Sequence, residues 1–353
     1  MYIIQTIISV LTAFLVYLIT LELDALGVYK KQVASLAYSL VIFCPFLWFF
    51  VRMLYSEVLT TFLVTLLILL IIYALKKERL WLYFTAGFTT GLALLTRPSI
   101  ALFPFFLVLL MILAKAKNDK FSPLFSKISV YLIALMLIWS PWIIRNYIVF
   151  KKFIPLCSFS GSYLYLGASP PNRYDKDFPM DKTEFGAYLK KDSNELLALD
   201  KGYKEKALKR IKEKPLTYIK YGFQRIPIIW FSSFSHYLNL DVSFSQLSVE
   251  LRRKITEKQN FTKELTFIFI KLLLSFINIL YVFTGLLGFI LLFRYWRKCY
   301  PLLLIPLYFT LAHMFLGQAS ARYAIPAWPI FLIFSAVGLL SFYRWWKSVF
   351  FKG

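Results

Sequence analysis

Four arginines stand apart from the other basic residues of this chain. Arg52, Arg97, Arg145 and Arg322 each fall where a long apolar run ends or begins, in connections that carry little other charge. A guanidinium offers a planar fork of donors that grips phosphate or carboxylate through two parallel hydrogen bonds, which an ammonium cannot do. One carboxylate keeps them company: Glu57, in Tyr55-Ser56-Glu57. It reads in two ways. As the first acid of a helix behind Ser56, it is favoured by the cap and the helix dipole. As a polar ligand, it meets a substrate, a metal or an arginine such as Arg52 or Arg97. Each arginine taken singly either reaches out to headgroups or a neighbouring carboxylate, or lines a site for an anion. For the four together the site is the better reading, because ionisable groups held in a membrane tend to be functional.

The elements that must position these residues are membrane helices. Of 353 residues, 59% are apolar and 17% charged, against roughly 45–50% and 25% in a soluble domain. A folded protein must cover its outside with polar groups, so this excess is not a large core. Apolar runs of spanning length lie near 3–21, 32–50, 58–75, 80–96, 98–114, 128–144, 265–293, 301–317 and 324–342. The expected fold is an all-α polytopic membrane protein of about nine transmembrane helices. Residues 1–145 hold six spans, 146–264 form an extracytoplasmic loop region with short helices, and 265–353 hold three spans. The first run lacks a basic head and a small-residue cleavage site, so it is not a removed signal peptide.

Forty-one basic residues against eighteen acidic give a net charge of +23, which on a soluble protein would raise nucleic acid as a partner. Sorting the charges removes that reading. One set of short connections holds fifteen lysines and arginines, among them Lys76, Lys127, Arg297, Lys298 and Arg344, while the other holds only the four arginines. The positive-inside rule places the first set in the cytoplasm, the N-terminus outside and the C-terminus inside. The expected location is the cytoplasmic membrane, with membrane lipids as surroundings and no nucleic acid as partner. Over 151–263 the outer region carries a further excess of nine positive charges, which the rule does not govern.

The cysteines (Cys44, Cys157, Cys299) form no framework, and two histidines (His236, His313) exclude a multi-histidine metal site. No phosphate-binding glycine loop or zinc-type H-E-x-x-H is present. The chemistry therefore rests on the outer segments. Thr96-Arg97-Pro98 joins two spans after the small-residue stretch Gly87 to Ala93. Trp139 to Tyr147 leaves the sixth span past Pro141 and Trp142, an aromatic-belt position, and carries Arg145 and Asn146. Ser160 to Gly167 reads as a turn and strand lying over a membrane-edge pocket. Ala321 to Pro326 sets Arg322 and Tyr323 at the start of the last span. A helix is expected near 193–213, and Gly222 to Leu240, with Arg225 and Trp230, is read as a surface-lying helix in preference to an extra span. Lys271, inside the seventh run, is expected to snorkel outward.

In order and spacing, Gly91-Leu-Ala-Leu-Leu-Thr-Arg-Pro98, Pro141-Trp-Ile-Ile-Arg-Asn-Tyr147, Tyr163-Leu-Tyr-Leu-Gly167 and Arg322-Tyr-Ala-Ile-Pro326 resemble integral-membrane glycosyltransferases of the GT-C class. The branch is that of protein mannosyltransferases and the aminoarabinose transferase of lipid A. The resemblance implies an inverting transfer of a sugar from a polyprenyl-phosphate carrier to a lipid, glycan or protein acceptor of the cell envelope, on the extracytoplasmic face. It implies no certain cofactor and admits a divalent metal. On it, Arg97, Arg145, Asn146, Arg322, Tyr323 and Arg52 bind substrate, and Glu57 matches the family's Ser-Glu pair as a polar site residue. The first helix here aligns with the family's second. The expectation is thus that a leading helix and a loop with the catalytic acidic pair lie before the position of Met1, leaving the chain as written truncated and inactive. Asp175, Asp177, Asp181 and Glu184, in a solvated lysine-containing loop, are not expected to replace that pair. Two other classes share parts of the pattern. An O-antigen polymerase or ligase would use a pyrophosphate-linked oligosaccharide, and a lipid or solute transporter would show internal repeats and midplane charges.

Overall fold

The computed structural model describes residues 2–53, 55–114, 121–157, 159–171, 193–231, 261–317 and 320–350. Within them every regular element is helical. The membrane helices are α1 (Tyr2–Leu21), α2 (Lys30–Ile42), α3 (Pro45–Arg52), α4 (Glu57–Lys77), α5 (Leu80–Thr96), α6 (Phe103–Ala114) and α7 (Phe121–Phe150). Three helices follow that sit at one end of the bundle: α8 (Ser160–Gly167), α9 (Ser193–Glu213) and α10 (Pro215–Trp230). The chain then returns through α11 (Phe261–Phe293), α12 (Trp296–Phe315) and α13 (Trp328–Phe350), with short 3-10 segments at Asp24–Tyr29, Pro98–Ile100 and Ala321–Ala327.

The protein is an all-α polytopic membrane protein. Helices α1, α4, α7, α11, α12 and α13 are long and apolar enough to cross a membrane, the bent pair α2–α3 would make a seventh span, and α5 and α6 are shorter apolar helices. Each apolar run of the sequence falls on one of these elements. The run over 32–50 is broken by a 44° bend, where Pro45, which has no N–H to give the preceding turn, starts α3. Trp48 Nε1 donates to Ile42 O across the bend at 2.5 Å. On the outside, side chains such as Ile3 (76% exposed) and Phe105 (66%) have no protein neighbour to bury them; only lipid suits such a surface.

Inside the bundle, helices approach through small residues. A Cβ on Gly87 of α5 would stand 2.1 Å from Tyr131 O of α7, and one on Gly288 of α11 would stand 1.9 Å from Phe334 O of α13. Gly338 repeats this from the α13 side, 2.0 Å from Thr284 O. Close backbone approach of this kind drives helix pairing in lipid, where the hydrophobic effect between helices is absent. The Gly87–Ala93 stretch of the sequence thus serves the contact with α7, reinforced by Tyr131 Oη donating to Thr90 Oγ1 at 3.0 Å. An aromatic core joins the two halves of the chain: Trp230 lies 4.6 Å from Phe331, and Phe46 5.4 Å from Trp328, centroid to centroid.

The basic residues separate to the two ends of this bundle. At one end Lys76 pairs with Glu22 and Asp24, Lys127 pairs with Glu78, and Arg344 stacks over Tyr29. At the other end lie Glu57, Arg97 and Arg322.

Four local expectations are corrected. Ser160–Gly167 is a helix, not a turn and strand: the Asp200 carboxylate of α9 accepts from Gly161 N at 2.9 Å and Ser162 N at 2.8 Å, supplying from 38 residues away the cap that the local sequence lacks. The helix α7 runs on past Pro141 to Phe150. Trp142 donates to Leu156 O at 3.1 Å and Trp139 to Pro155 O at 2.8 Å, so both pin the segment that follows α7. Lys271 does not snorkel; it is 8% exposed. The helix over 193–213 is present as α9. Of the stretch 222–240, residues 232–240 lie outside the described residues. The described part is not simply surface-lying: Gly222, Arg225, Ile229 and Trp230 of α10 are buried, while Phe223 is exposed. Asp175, Asp177, Asp181, Glu184 and His236 also lie outside the described residues.

Replacing Gly338 with Leu should separate α11 from α13, at a cost on the order of 1–3 kcal/mol or more, as expected for overpacking a tight core. Thermal unfolding of detergent-solubilised protein should show a clear drop for Gly338→Leu and almost none for Phe342→Leu on the exposed part of the same helix. Equal midpoints would remove the close-packing argument.

Candidate functional site

Glu57 is the first residue of α4, and its side chain is fully buried. A carboxylate in such a place is costly unless it is paired. Two guanidiniums from distant parts of the chain pair it. Arg322, in the 3-10 turn before α13, donates through Nε to Glu57 Oε1. Arg97, at the break between α5 and the Pro98 turn, places Nη1 3.6 Å from the same oxygen.

Each arginine is also braced by an aromatic ring. The Arg322 guanidinium lies 4.2 Å over Tyr55, and that of Arg97 lies 5.6 Å over Tyr323. The Tyr323 ring stacks in turn on His313 of α12 at 4.6 Å, and Tyr163 of α8 reaches the same group of charges.

Local structure explains why these side chains meet. Pro98 ends α5 by denying its N–H to the helix, and the turn it starts is held by Tyr308 Oη donating to Ser99 O. Thr60 Oγ1 and Thr96 Oγ1 hydrogen bond at 3.0 Å, joining the first turn of α4 to the last of α5 beside the ion pair. On the other flank Ser320 caps the 3-10 turn by accepting from Arg322 N. Gly317 precedes it with φ +84, a left-handed conformation open to glycine, and donates to Tyr163 O at 2.8 Å. A Cβ at Gly317 would lie 2.9 Å from the Tyr163 ring.

Among the described residues two guanidiniums meet one carboxylate here. Burial draws the Arg97 guanidinium below its ordinary value, the Glu57 carboxylate opposes this, and Arg322 adds to the lowering. Three buried polar atoms of the site, Glu57 Oε2, Arg97 Nη1 and His313 Nε2, have no hydrogen-bond partner among the described residues. Buried polar atoms are rarely left so, and here they cluster around a surplus positive charge. The arrangement can hold an anion; it does not suit a divalent metal. Glu57 Oε1 is already taken by two cations, and no group of three or more His, Cys, Asp or Glu side chains able to hold a metal exists among the described residues.

The residues singled out by sequence therefore divide. Glu57, Arg97, Arg322 and Tyr323 come together. Arg52 is exposed at the end of α3, with no ion pair to Glu57 among the described residues. Arg145 lies exposed on α7, bonds Asn146 Oδ1 at 2.9 Å and stacks over Trp142. Asn146 is buried and donates to Ile154 O at 2.9 Å, so it fastens the chain leaving α7. Sequence reasoning missed His313, which served only to exclude a metal, and the bracing role of Tyr55. Arg225 was seen only as a charge on an apolar stretch. It is fully buried and donates to the carbonyls of Met314, Leu166 and Ser169, tying α10 to α12 and α8.

In comparisons with known proteins, no family model, no curated protein and no solved structure matches this chain.

Removing one partner of a buried ion pair costs roughly 3–5 kcal/mol, because the other charge is stranded. Glu57→Ala should lose stability on that scale, and Glu57→Ala combined with Arg97→Ala should lose clearly less than the two single variants added. Chemical denaturation in detergent supplies the cycle; strict additivity would mean that the two residues do not act as a unit.

Proposed function

We propose that this chain is a GT-C-like membrane glycosyltransferase. It takes a sugar from a polyprenyl-phosphate carrier to a lipid, glycan or protein acceptor on the extracytoplasmic face of the cytoplasmic membrane. The observation that carries this reading is the buried Glu57 carboxylate braced by Arg97 and Arg322, with polar atoms beside it that have no partner among the described residues. The same reading puts the lysine-rich end in the cytoplasm, where the positive-inside rule collects basic residues.

In this reading the donor phosphate enters between Arg97 and Arg322. The acceptor oxygen bonds to the anomeric carbon as that carbon's bond to the carrier phosphate oxygen breaks; the hydroxyl proton is released to water, and charge builds on the departing phosphate. Fixed guanidiniums in a water-poor pocket stabilise that charge without reorganising as the bond breaks. Glu57 is the positioning residue: it holds both guanidiniums in place and offsets part of their mutual repulsion. Tyr323 and Tyr55 keep their planes aligned. Arg145, Asn146 and Arg52 stand apart from this cluster and are given no contact with the phosphate.

The test uses membranes containing the full chain and a radiolabelled polyprenyl monophosphate sugar, with carrier binding measured separately from transfer. Arg97→Ala and Arg322→Ala should each weaken carrier binding by at least about tenfold, and lower any transfer by about 10²–10³-fold, the scale of losing one preorganised donor. Arg145→Ala should stay within about threefold of the parent, as expected for a residue outside the site. Unchanged carrier binding in Arg97→Ala would place the site elsewhere. Preference for a pyrophosphate-linked donor would point to a polymerase or ligase, and vesicle uptake without a glycosylated product to a transporter.

A further inference from the structure

A cavity of about 620 Å³ opens at the bundle end opposite Glu57, between the ends of α1, α4 and α6 and the starts of α5, α7 and α12. Its apolar lining includes Ile72 and Met111, which are buried, with Leu75 and Leu124 partly so. Its exposed lining is charged. Three carboxylates contribute, and all three are engaged: Glu22 and Asp24 hold Lys76 at 3.1 and 3.0 Å, and Glu78 holds Lys127 at 2.9 Å. Two further cations line the same cavity, Arg297 and Lys298 in the first turn of α12, and no carboxylate lies within ion-pair distance of either among the described residues. The start of α12 adds the positive end of its dipole. Tyr300, which also lines the cavity, is 3% exposed, and its hydroxyl has no hydrogen-bond partner among the described residues.

We infer that this cavity binds a membrane lipid with a phosphate-monoester head. The head would sit against Arg297, Lys298 and the Tyr300 hydroxyl, and the hydrocarbon chain along Ile72, Leu75, Met111 and Leu124. The charges explain the sign of the ligand: with each carboxylate already paired, the two remaining cations leave a place for one anion. An apolar wall is of no use to free phosphate, whereas a lipid uses both parts. The volume falls in the range of small-ligand pockets, about 300–1,000 Å³. The inference is independent of the glycosyltransferase reading, since it concerns other residues at the other end of the bundle.

Native mass spectrometry of the full chain, titrated with dioleoyl phosphatidic acid, tests it. Phosphatidic acid should bind at least about tenfold more weakly to the Arg297→Glu/Lys298→Glu protein, because two charge-assisted contacts are lost and reversed. Lys30→Glu/Lys31→Glu makes the same charge change at the same bundle end outside the cavity, and should stay within about twofold. Tyr300→Phe, which keeps the ring and removes only the hydroxyl, should weaken binding by about threefold, the size of one modest hydrogen bond. Arg145→Ala, outside both sites, should leave this binding untouched, and transfer from the labelled donor is read separately, so a failure here and a failure of the transferase site are told apart. Equal weakening by the Lys30/Lys31 pair would reduce the effect to general surface charge and overturn the proposal. So would no weakening in Arg297→Glu/Lys298→Glu, or inorganic phosphate binding as tightly as the lipid.

Discussion

One carboxylate decides the architecture of the arginine end. Glu57 is wholly out of water, and its charge is tolerable there only because Arg97 and Arg322 meet it from two other parts of the chain. Breaking that contact would strand charge in an apolar bundle, so the three segments are held to one another at the first turn of α4. The Pro98 break, the Ser320 cap and the Thr60–Thr96 bond then read as devices that bring each partner to that point. They fix backbone, and the ion pair fixes side chains.

The helices that close this end are tied by the same logic of distant partners. Asp200 of α9 caps α8, and Arg225 of α10 satisfies carbonyls left over at the ends of α8 and α12. The last carbonyls of a helix lack intrahelical donors, and a buried guanidinium can serve several at once because its five N–H groups spread in a plane. Fixed in this way, α8 places Tyr163 beside Arg97 and Tyr323. The cap is therefore continuous with the site, and motion in α8 or α10 would be felt at the charges.

The membrane helices were legible because spanning a bilayer imposes a length and an apolar composition that no other constraint imitates. The helix over 193–213 was visible from its own composition, but the bend at Pro45 was not expected, because 32–50 reads as one apolar run. What escaped was whatever a distant residue supplied. Ser160–Gly167 has glycines and serines that favour a turn locally, and only Asp200, 38 residues on, makes it a helix. Trp142 has the composition of a belt residue, and its bond to Leu156 O is not legible there. Among the candidate site residues, Glu57, Arg97, Arg322 and Tyr323 were found because charge at a membrane edge is conspicuous. The same signal also selected Arg52, Arg145 and Asn146, since composition marks a charge without telling which neighbour it meets. His313 and Tyr55 were hidden by the opposite problem: a lone histidine and a tyrosine are ordinary in such surroundings.

Among the described residues, the Glu57 cluster sets two arginines against one carboxylate and the opposite cavity sets four cations against three carboxylates, yet the two cannot behave alike. At the arginine end Glu57 and Arg97 are buried, so the field is weakly screened and its direction is set by the fold. At the opposite end Arg297 and Lys298 are exposed and Glu78 has a side chain 70% exposed, so salt and side-chain motion blunt each interaction within a Debye length of about 8 Å at physiological ionic strength. Guanidiniums braced against a buried carboxylate select by geometry and can stabilise charge that develops beside them. An exposed set of cations beside an apolar cavity selects by sign and by hydrophobic contact. Equal net charge in the two clusters thus produces different fields, and the difference lies in how deeply each charge is held.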